Sequence, residues 1–527
     1  MDVKQLSPRL SVSPQIAAAD VATLAAQGFK SIIVNRPDGE GADQPNFAEI
    51  KAAADTVGLA TVYAPIASGI APSSDSVAAF ARAMAELPGP VLAYCRSGAR
   101  STLLFKLASD GQTPARAAAH DIVIVGGGTA GIAVAASLLA RRSNLDIAII
   151  EPADEHFYQP GWTMVGGGVF DVASTRRAEA DLIPAGVKRI KAAVASFDPA
   201  DHSVILADGG KIAYKKLIVA PGLTLNWSAI EGLEESLGQN GVTSNYRYDL
   251  APYTWDLVQK FKGGKALFTQ PGMPIKCAGA PQKAIYLSCD HWLRQGDLKN
   301  IAVEFLNAGP VLFGVPDYVP ALMEYIRKYN VALSFGHNLF KIDGPAKTAW
   351  FKRANADGSS EIVERKFDMI HVVPPQIAPD FIRSSPLANA GGWVDVDPAT
   401  LRHKSLADIY SLGDVMGATN AKTMAAARKQ APVVAENVLK DMALGVGKAD
   451  AIYDGYGSCP LTVERGKIVL AEFGYGGKRN PSFPKWLIDD LKPSRAAWAL
   501  KAHLLPSVYW QGMLKGREWM AKPSFAK

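Results

Sequence analysis

At 527 residues the chain is too long for a single hydrophobic core and calls for two or three domains. An ordinary balance, 48% hydrophobic and 20% charged, excludes disordered and fibrous classes, and four cysteines exclude a disulfide framework. The formal charge of +6 is modest and gives no reason to expect nucleic acid, but eight Lys/Arg against three acids fall between residues 485 and 527.

Met1-Asp2-Val3-Lys4-Gln5 has no basic-then-apolar run, so no secretory signal is expected. No run of about 20 uncharged apolar residues is long enough to span a bilayer. Residues 1–110 read as a small α/β domain. Its strands are Ser31-Ile32-Ile33-Val34-Asn35 and Pro90-Val91-Leu92-Ala93-Tyr94, with Ala-rich helices near 17–27, 47–57 and 75–87. After the second strand comes Tyr94-Cys95-Arg96-Ser97-Gly98-Ala99-Arg100-Ser101, then a helix expected over 102–108. Such a loop gathers backbone N–H groups at a helix N-terminus, which lowers a thiol pKa and favours an anion. Cys95 and Arg100 are therefore candidate catalytic residues. Asp38 is either a general acid or a turn aspartate.

Residues 111–120, polar and bearing Gly and Pro, read as a linker, and a strand is expected from Asp121. The apolar strand 121–125 leads into Gly126-Gly127-Gly128-Thr129-Ala130-Gly131, a helix over 132–141 and a strand ending at Glu151. Gly126, Gly128 and Gly131 fit the dinucleotide fingerprint: a tight turn, close approach to a pyrophosphate, and helix-on-strand packing. Glu151 is placed to accept from a ribose hydroxyl. Further on, Ile409-Tyr410-Ser411-Leu412-Gly413-Asp414 and Leu217-Ile218-Val219-Ala220-Pro221-Gly222 resemble the later motifs of two-dinucleotide-domain flavoproteins, which points to FAD. No metal-ligand spacing is evident. The strand 301–306 runs into Asn307-Ala308-Gly309-Pro310-Val311-Leu312-Phe313-Gly314, where Pro310 and bulky neighbours spoil a second pyrophosphate site. Either a nicotinamide is not used, or a degenerate site still binds one.

Several stretches carry a family resemblance: Tyr158-Gln159-Pro160-Gly161-Trp162, Pro274-Ile275-Lys276-Cys277-Ala278-Gly279-Ala280-Pro281-Gln282-Lys283, Gly392-Trp393-Val394-Asp395, and Tyr453-Asp454-Gly455-Tyr456-Gly457-Ser458-Cys459-Pro460-Leu461. With the glycine turn, they make residues 121–520 resemble the sulfide:quinone oxidoreductases, in the branch that includes the mitochondrial enzyme. The fold class implied is α/β: a phosphatase/rhodanese-like domain (1–110), a tandem Rossmann-like FAD/NAD(P)-type fold (121–450), and C-terminal amphipathic helices (451–527). The resemblance implies two cysteines beside the flavin that form a sulfur bridge attacked by sulfide. Electrons would pass through FAD to ubiquinone or a related quinone, and sulfur would leave on a small acceptor thiol.

Cys277 matches the first cysteine, and Lys276 beside it is a reason to expect a thiolate. The second is expected just after Gly413-Asp414, but Val415 and Met416 stand there, and Cys289 on the next helix is a poor substitute. Cys459 reads as a packed cysteine outside the redox pair. Two alternatives follow: a one-cysteine variant, or a quinone-linked flavoprotein that has lost sulfide oxidation. Lys422 reads as a flavin contact. The N-terminal region resembles a bacterial phosphatase-like family often fused to sulfur-oxidising enzymes, which leaves a phosphatase/oxidoreductase bifunctional protein open beside persulfide relay at Cys95. Trp486, Trp498, Trp510 and Trp519 with the basic tail suggest two short helices, starting near Pro493-Ser494 and Pro506, that lie on a membrane or pack in a homodimer. The location implied is cytoplasmic, peripheral on the inner face of the plasma membrane.

Overall fold

In the computed structural model, residues 3–41, 44–67, 72–109, 118–355, 357–418, 421–445 and 450–526 are described. The chain divides into two compact units. The first comprises residues 1–120, 192–214 and 384–386, and the second comprises 121–191, 215–383 and 387–527. Of the expected linker, 111–117 lie outside the described residues, while 118–120 already belong to a strand.

The first unit is built on five strands: β1 (Lys4–Gln5), β2 (Leu10–Ser13), β3 (Ser31–Val34), β4 (Ala60–Tyr63) and β5 (Val91–Tyr94). Their order is β1-β2-β5-β3-β4, all parallel except β1. Helices α1 (Asp20–Ala26), α2 (Phe47–Thr56), α3 (Ser74–Glu86) and α4 (Ala99–Ser109) accompany them. β2, β3 and β5 are buried along their whole length, which is why β3 and β5 read as apolar runs. Helix α4 starts at Ala99, three residues earlier than the sequence suggests, so Arg100 lies in its first turn.

The second unit holds the parallel strands of a mixed sheet and a wholly parallel sheet. In the first, β6 (Ala118–Val125) enters α5 (Thr129–Arg141), whose start at Thr129 sits directly on the glycine turn. β7 (Ile147–Ile150) and β8 (Val187–Ile190) follow on one side, and β9 (Lys211–Val219) with β12 (Ile409–Ser411) on the other. The second sheet has β10 (Gly264–Gln270) and β11 (Ile301–Asn307) paired in register at its centre. Ligands of such sheets bind beyond the carboxyl ends of the strands. That edge is where Cys277 lies, in the loop between β10 and α6 (Ala280–Gln295). Helix α6 is buried from Ala280 through Asp290, so its start is held rigidly. Across it lies the hairpin of β13 (Gly457–Glu464) and β14 (Lys467–Phe473).

The C-terminal segment is one winding helical run, not two separate helices. Ser494 caps α7 (Arg495–Ala499) through Ala497 N–H at 3.2 Å, and wider turns at Leu500–Leu504 and Val508–Gly512 carry the helix on. Tyr509, Trp510, Met513 and Leu514 are buried, whereas Trp486 and Trp519 are exposed. No helix among the described residues is long and apolar enough to cross a membrane.

Candidate active site

Cys277 adopts a positive φ of +52°. For a non-glycine residue this costs about 1–2 kcal/mol. Two bonds hold it there: its N–H donates to Lys422 O at 2.9 Å, and Ala280 N–H donates to its carbonyl at 2.7 Å. The turn aims the thiol at β13, where Cys459 Sγ lies 3.9 Å away. Gly279 makes this approach possible, since a Cβ there would stand 2.5 Å from Leu461 Cδ2 and 3.5 Å from Cys459 Cβ. The expectation that Cys459 is merely packed is therefore corrected. It is buried, and its sulfur faces Cys277. Val415 and Met416, where a second cysteine is expected, are buried core residues, and 419–420 in the same run lie outside the described residues.

The cation at the thiol is Lys283, one turn into α6, with Nζ 3.1 Å from Cys277 Sγ. Lys276 instead donates to Gln159 Oε1 and lies over the rings of Trp162 and Tyr246 at 5.7 and 5.6 Å. A second buried lysine, Lys501 of the C-terminal run, donates to Pro460 O at 3.4 Å. Two thiols this close share one ionisation. The hydrogen bond from Cys459 and the charge of Lys283 hold Cys277 well below the usual thiol range, against the opposing effect of burial. Cys459 is pushed well above it, by that same bond and by burial. Cys289 is fully buried on α6 and burial pushes its thiol up, so it is inert.

The dinucleotide cradle fits a flavin nucleotide. Gly126 has φ +100°, and a Cβ there would stand 2.5 Å from Ala220 O. At Gly131 a Cβ would overlap Gly126 O, so helix and turn could not close. Gly128, the N-cap of α5, has open space before it, as close approach of a phosphate requires. Both Glu151 oxygens accept backbone N–H groups, Gly127 at 2.7 Å and Ala153 at 2.8 Å.

Downstream, Gly413 turns at φ +78° and its N–H donates to Gln430 at 2.8 Å. Asp414 is pushed up by burial, which Lys276 and Lys422 oppose. Lys422 donates to the carbonyls of Asp414 at 2.6 Å and Met416 at 3.0 Å and sits 3.9 Å over the Trp393 ring. Burial pulls its pKa down to about 8. Around Lys276, Trp162 Nε1, Thr163 Oγ1 and Gln376 Nε2 are buried without a protein partner among the described residues. Leftover donors beside half-buried Lys276 suit a planar heterocycle rich in acceptors.

The turn after β11 is closed by its own side chain. Asn307 Oδ1 takes Gly309 N–H at 2.8 Å and its Nδ2 donates to Val311 O at 2.9 Å. The amide a second pyrophosphate would need is thus already used.

In the first unit, Cys95 is buried at the start of α4. Burial pushes its thiol up, but backbone N–H groups of Ser101, Ser97 and Arg100, with the Arg100 charge, bring it below the usual value. Arg100 forks onto Glu40 at 2.8 Å twice, and Arg36 reaches the same carboxylate at 2.8 Å. Asp38 Oδ1 accepts the N–H of Phe47, the first residue of α2, at 2.7 Å.

Residues 2–112 match the phosphatase-like domain of beta-lactamase hydrolase-like proteins, and 120–254 match the pyridine nucleotide-disulphide oxidoreductases. The mitochondrial sulfide:quinone oxidoreductase of Dictyostelium discoideum is 42% identical over 405 residues, covering 76% of this chain and 87% of that protein. The beta-lactamase hydrolase-like protein of Agrobacterium fabrum is 40% identical over 107 residues, 20% of this chain and 25% of its own length. Among solved structures, the Aquifex aeolicus sulfide:quinone oxidoreductase shares the fold with a TM-score of 0.62 at 19% identity, covering 77% of this chain and 92% of that one.

Proposed function

The chain belongs to the sulfide:quinone oxidoreductase family, with a phosphatase-like domain at its N-terminus, and on that premise we propose that it oxidises sulfide at the Cys277–Cys459 pair. Its cofactor is FAD, cradled by the Gly126–Gly131 turn, Glu151, Gly413, Asp414 and Lys422. The observation that carries the reading is the 3.9 Å approach of two thiols, one of them beside a buried lysine.

With the pair closed as a disulfide, hydrosulfide attacks one sulfur and the S–S bond breaks. The better leaving group is the thiol of lower pKa. Cys277 therefore departs as thiolate beside Lys283, and Cys459 keeps the new sulfur as a persulfide. An acceptor thiolate takes that outer sulfur and leaves Cys459 reduced. Bound in that cradle, FAD would supply a two-electron acceptor for reoxidation of the dithiol and a donor for a quinone. In sum, hydrogen sulfide, an acceptor thiol RSH and a quinone give the persulfide RSSH and a quinol. The alternative, a flavoprotein that has lost sulfide oxidation, rests on a missing second cysteine, and Cys459 removes that reason.

Cys95, in the same proposal, takes sulfane sulfur from RSSH, giving Cys95–SSH and RSH. Its lowered thiol supports this, because the thiolate is the form that attacks sulfane sulfur. Exposed Trp486, Leu487, Leu504, Trp519 and Met520 beside Lys485, Arg517 and Lys522 support peripheral contact with the inner face of the plasma membrane. The test is a steady-state assay of the holoenzyme with sulfide, a soluble quinone and glutathione. Quinone reduction should depend on sulfide and yield glutathione persulfide; reduction no faster with sulfide than without it overturns the proposal.

A further inference from the structure

Beside the dinucleotide turn, and apart from the thiol pair, lies a buried polar chain that the proposed reaction does not use. Glu179 is 2% exposed. Its Oε2 meets His156 Nδ1 at 3.0 Å, and His156 Nε2 meets the Tyr509 hydroxyl at 2.5 Å. The same hydroxyl lies 2.7 Å from Thr129 Oγ1, in the first residue of α5. Glu179 Oε1 has no partner among the described residues. It points at the turn: a Cβ on Gly127 would overlap it, which explains why the middle position of the turn is also glycine. A buried carboxylate oxygen left unpaired is costly unless something fills it. Glu179 Oε1 is thus a second carboxylate acceptor at the turn, beside Glu151, with room to take a hydroxyl of the nucleotide.

Tyr509 belongs to the C-terminal run, which lies along α5 to its far end. A Cβ on Gly516 would stand 2.6 Å from Ala136 O. Glu518 accepts from Ser137 at 2.6 Å and takes Arg141 Nη1 and Nη2 at 2.5 and 2.9 Å. One segment thus straps the dinucleotide helix at both ends, and its first attachment is the hydroxyl that closes the chain to Glu179.

We infer that Glu179, His156 and Tyr509 couple the nucleotide cradle to the C-terminal strap, so that FAD occupancy fixes residues 505–518 and the strap in turn retains FAD. The coupling is reciprocal by linkage. It depends on the flavin and not on sulfide as donor, so a sulfide assay that fails would leave it standing. Glu179→Ala tests it, because it removes the acceptor that faces the cradle and Glu179 does not belong to the strap. The expected result is flavin release about tenfold faster on dilution, the order for one lost buried hydrogen bond, read by flavin fluorescence. Backbone hydrogen exchange in 505–518 should accelerate with it. Tyr509→Phe should do the same from the other end of the chain. Unchanged flavin release in both variants overturns the inference, and so does faster release with unchanged exchange in 505–518. If neither variant folds, the wild type decides: exchange in 505–518 measured with FAD below and above its dissociation constant should differ, and equal exchange refutes the coupling.

Discussion

The protein carries two activated cysteines, and they are activated in different ways. Cys95 draws its low pKa from N–H groups within six residues of itself, at the start of one helix. Cys277 draws its own from a thiol 182 positions away and from a lysine on the next helix turn. The first is a local device, built wherever a strand, a short loop and a helix follow in order. The second exists only once a hairpin has folded across the loop. At Cys95 backbone dipoles and the nearby Arg100 charge act together on one thiol, whereas in the buried pair a cation beside one sulfur favours its ionisation over the other's.

The sharpest break of this contrast is removal of either partner of the pair. Cys459→Ser and Cys277→Ser should each cut sulfide-dependent quinone reduction by about 10³-fold or more, the order for loss of a covalent nucleophile, with bound FAD retained. Near-normal turnover in Cys459→Ser would return that residue to the packed role. Next in size is Lys283→Met. With its pKa depressed, Cys277 stays ionised as pH falls below the usual thiol value of about 8.5, so alkylation of the reduced wild type should persist at pH values where an ordinary thiol has lost it. In Lys283→Met the titration midpoint should rise toward that value, and alkylation at pH 7 should slow by roughly tenfold for every pH unit the midpoint climbs above 7. A flat profile in the variant would mean that Cys459 alone holds the thiolate.

Smaller still is Cys289→Ser, which places a hydroxyl in a dry core. It should cost about 1–3 kcal/mol of stability in a denaturant melt and leave turnover unchanged. The smallest effect is expected from Cys95→Ser, which should keep quinone reduction within about twofold if the two units act as separate domains. Its loss would appear in persulfide labelling of the N-terminal peptide.

The glycine turn, its helix, the late Gly-Asp and the Cys95 loop were readable because each is a contiguous run whose backbone demands particular residues. The helices start three residues earlier than apolar periodicity suggests, at Ala99 and at Thr129, because each begins directly on the loop before it. The lysine beside the Cys277 thiol differs from expectation for a geometric reason. Lys276 is adjacent in sequence, but the positive φ at Cys277 sends the two side chains apart, and Lys283 arrives instead from one turn into α6. Glu179 gave no signal at all, since nothing in a sequence marks a carboxylate as buried and unpaired. In the tail, aromatic and basic composition suggested an interface, yet Tyr509 and Trp510 turn inward, because α5 offers a face to cover.

By itself the order of residues determined the parallel-sheet architecture, the flavin fingerprint and the local thiol nest, all set by steric and dipolar rules acting over a few neighbours. Tertiary structure alone decided that Cys459 meets Cys277, that Lys283 attends them, and that the tail straps the nucleotide helix. Those contacts join residues 6 to about 380 positions apart, and only packing of the intervening elements fixes which of many possible partners comes within bonding distance.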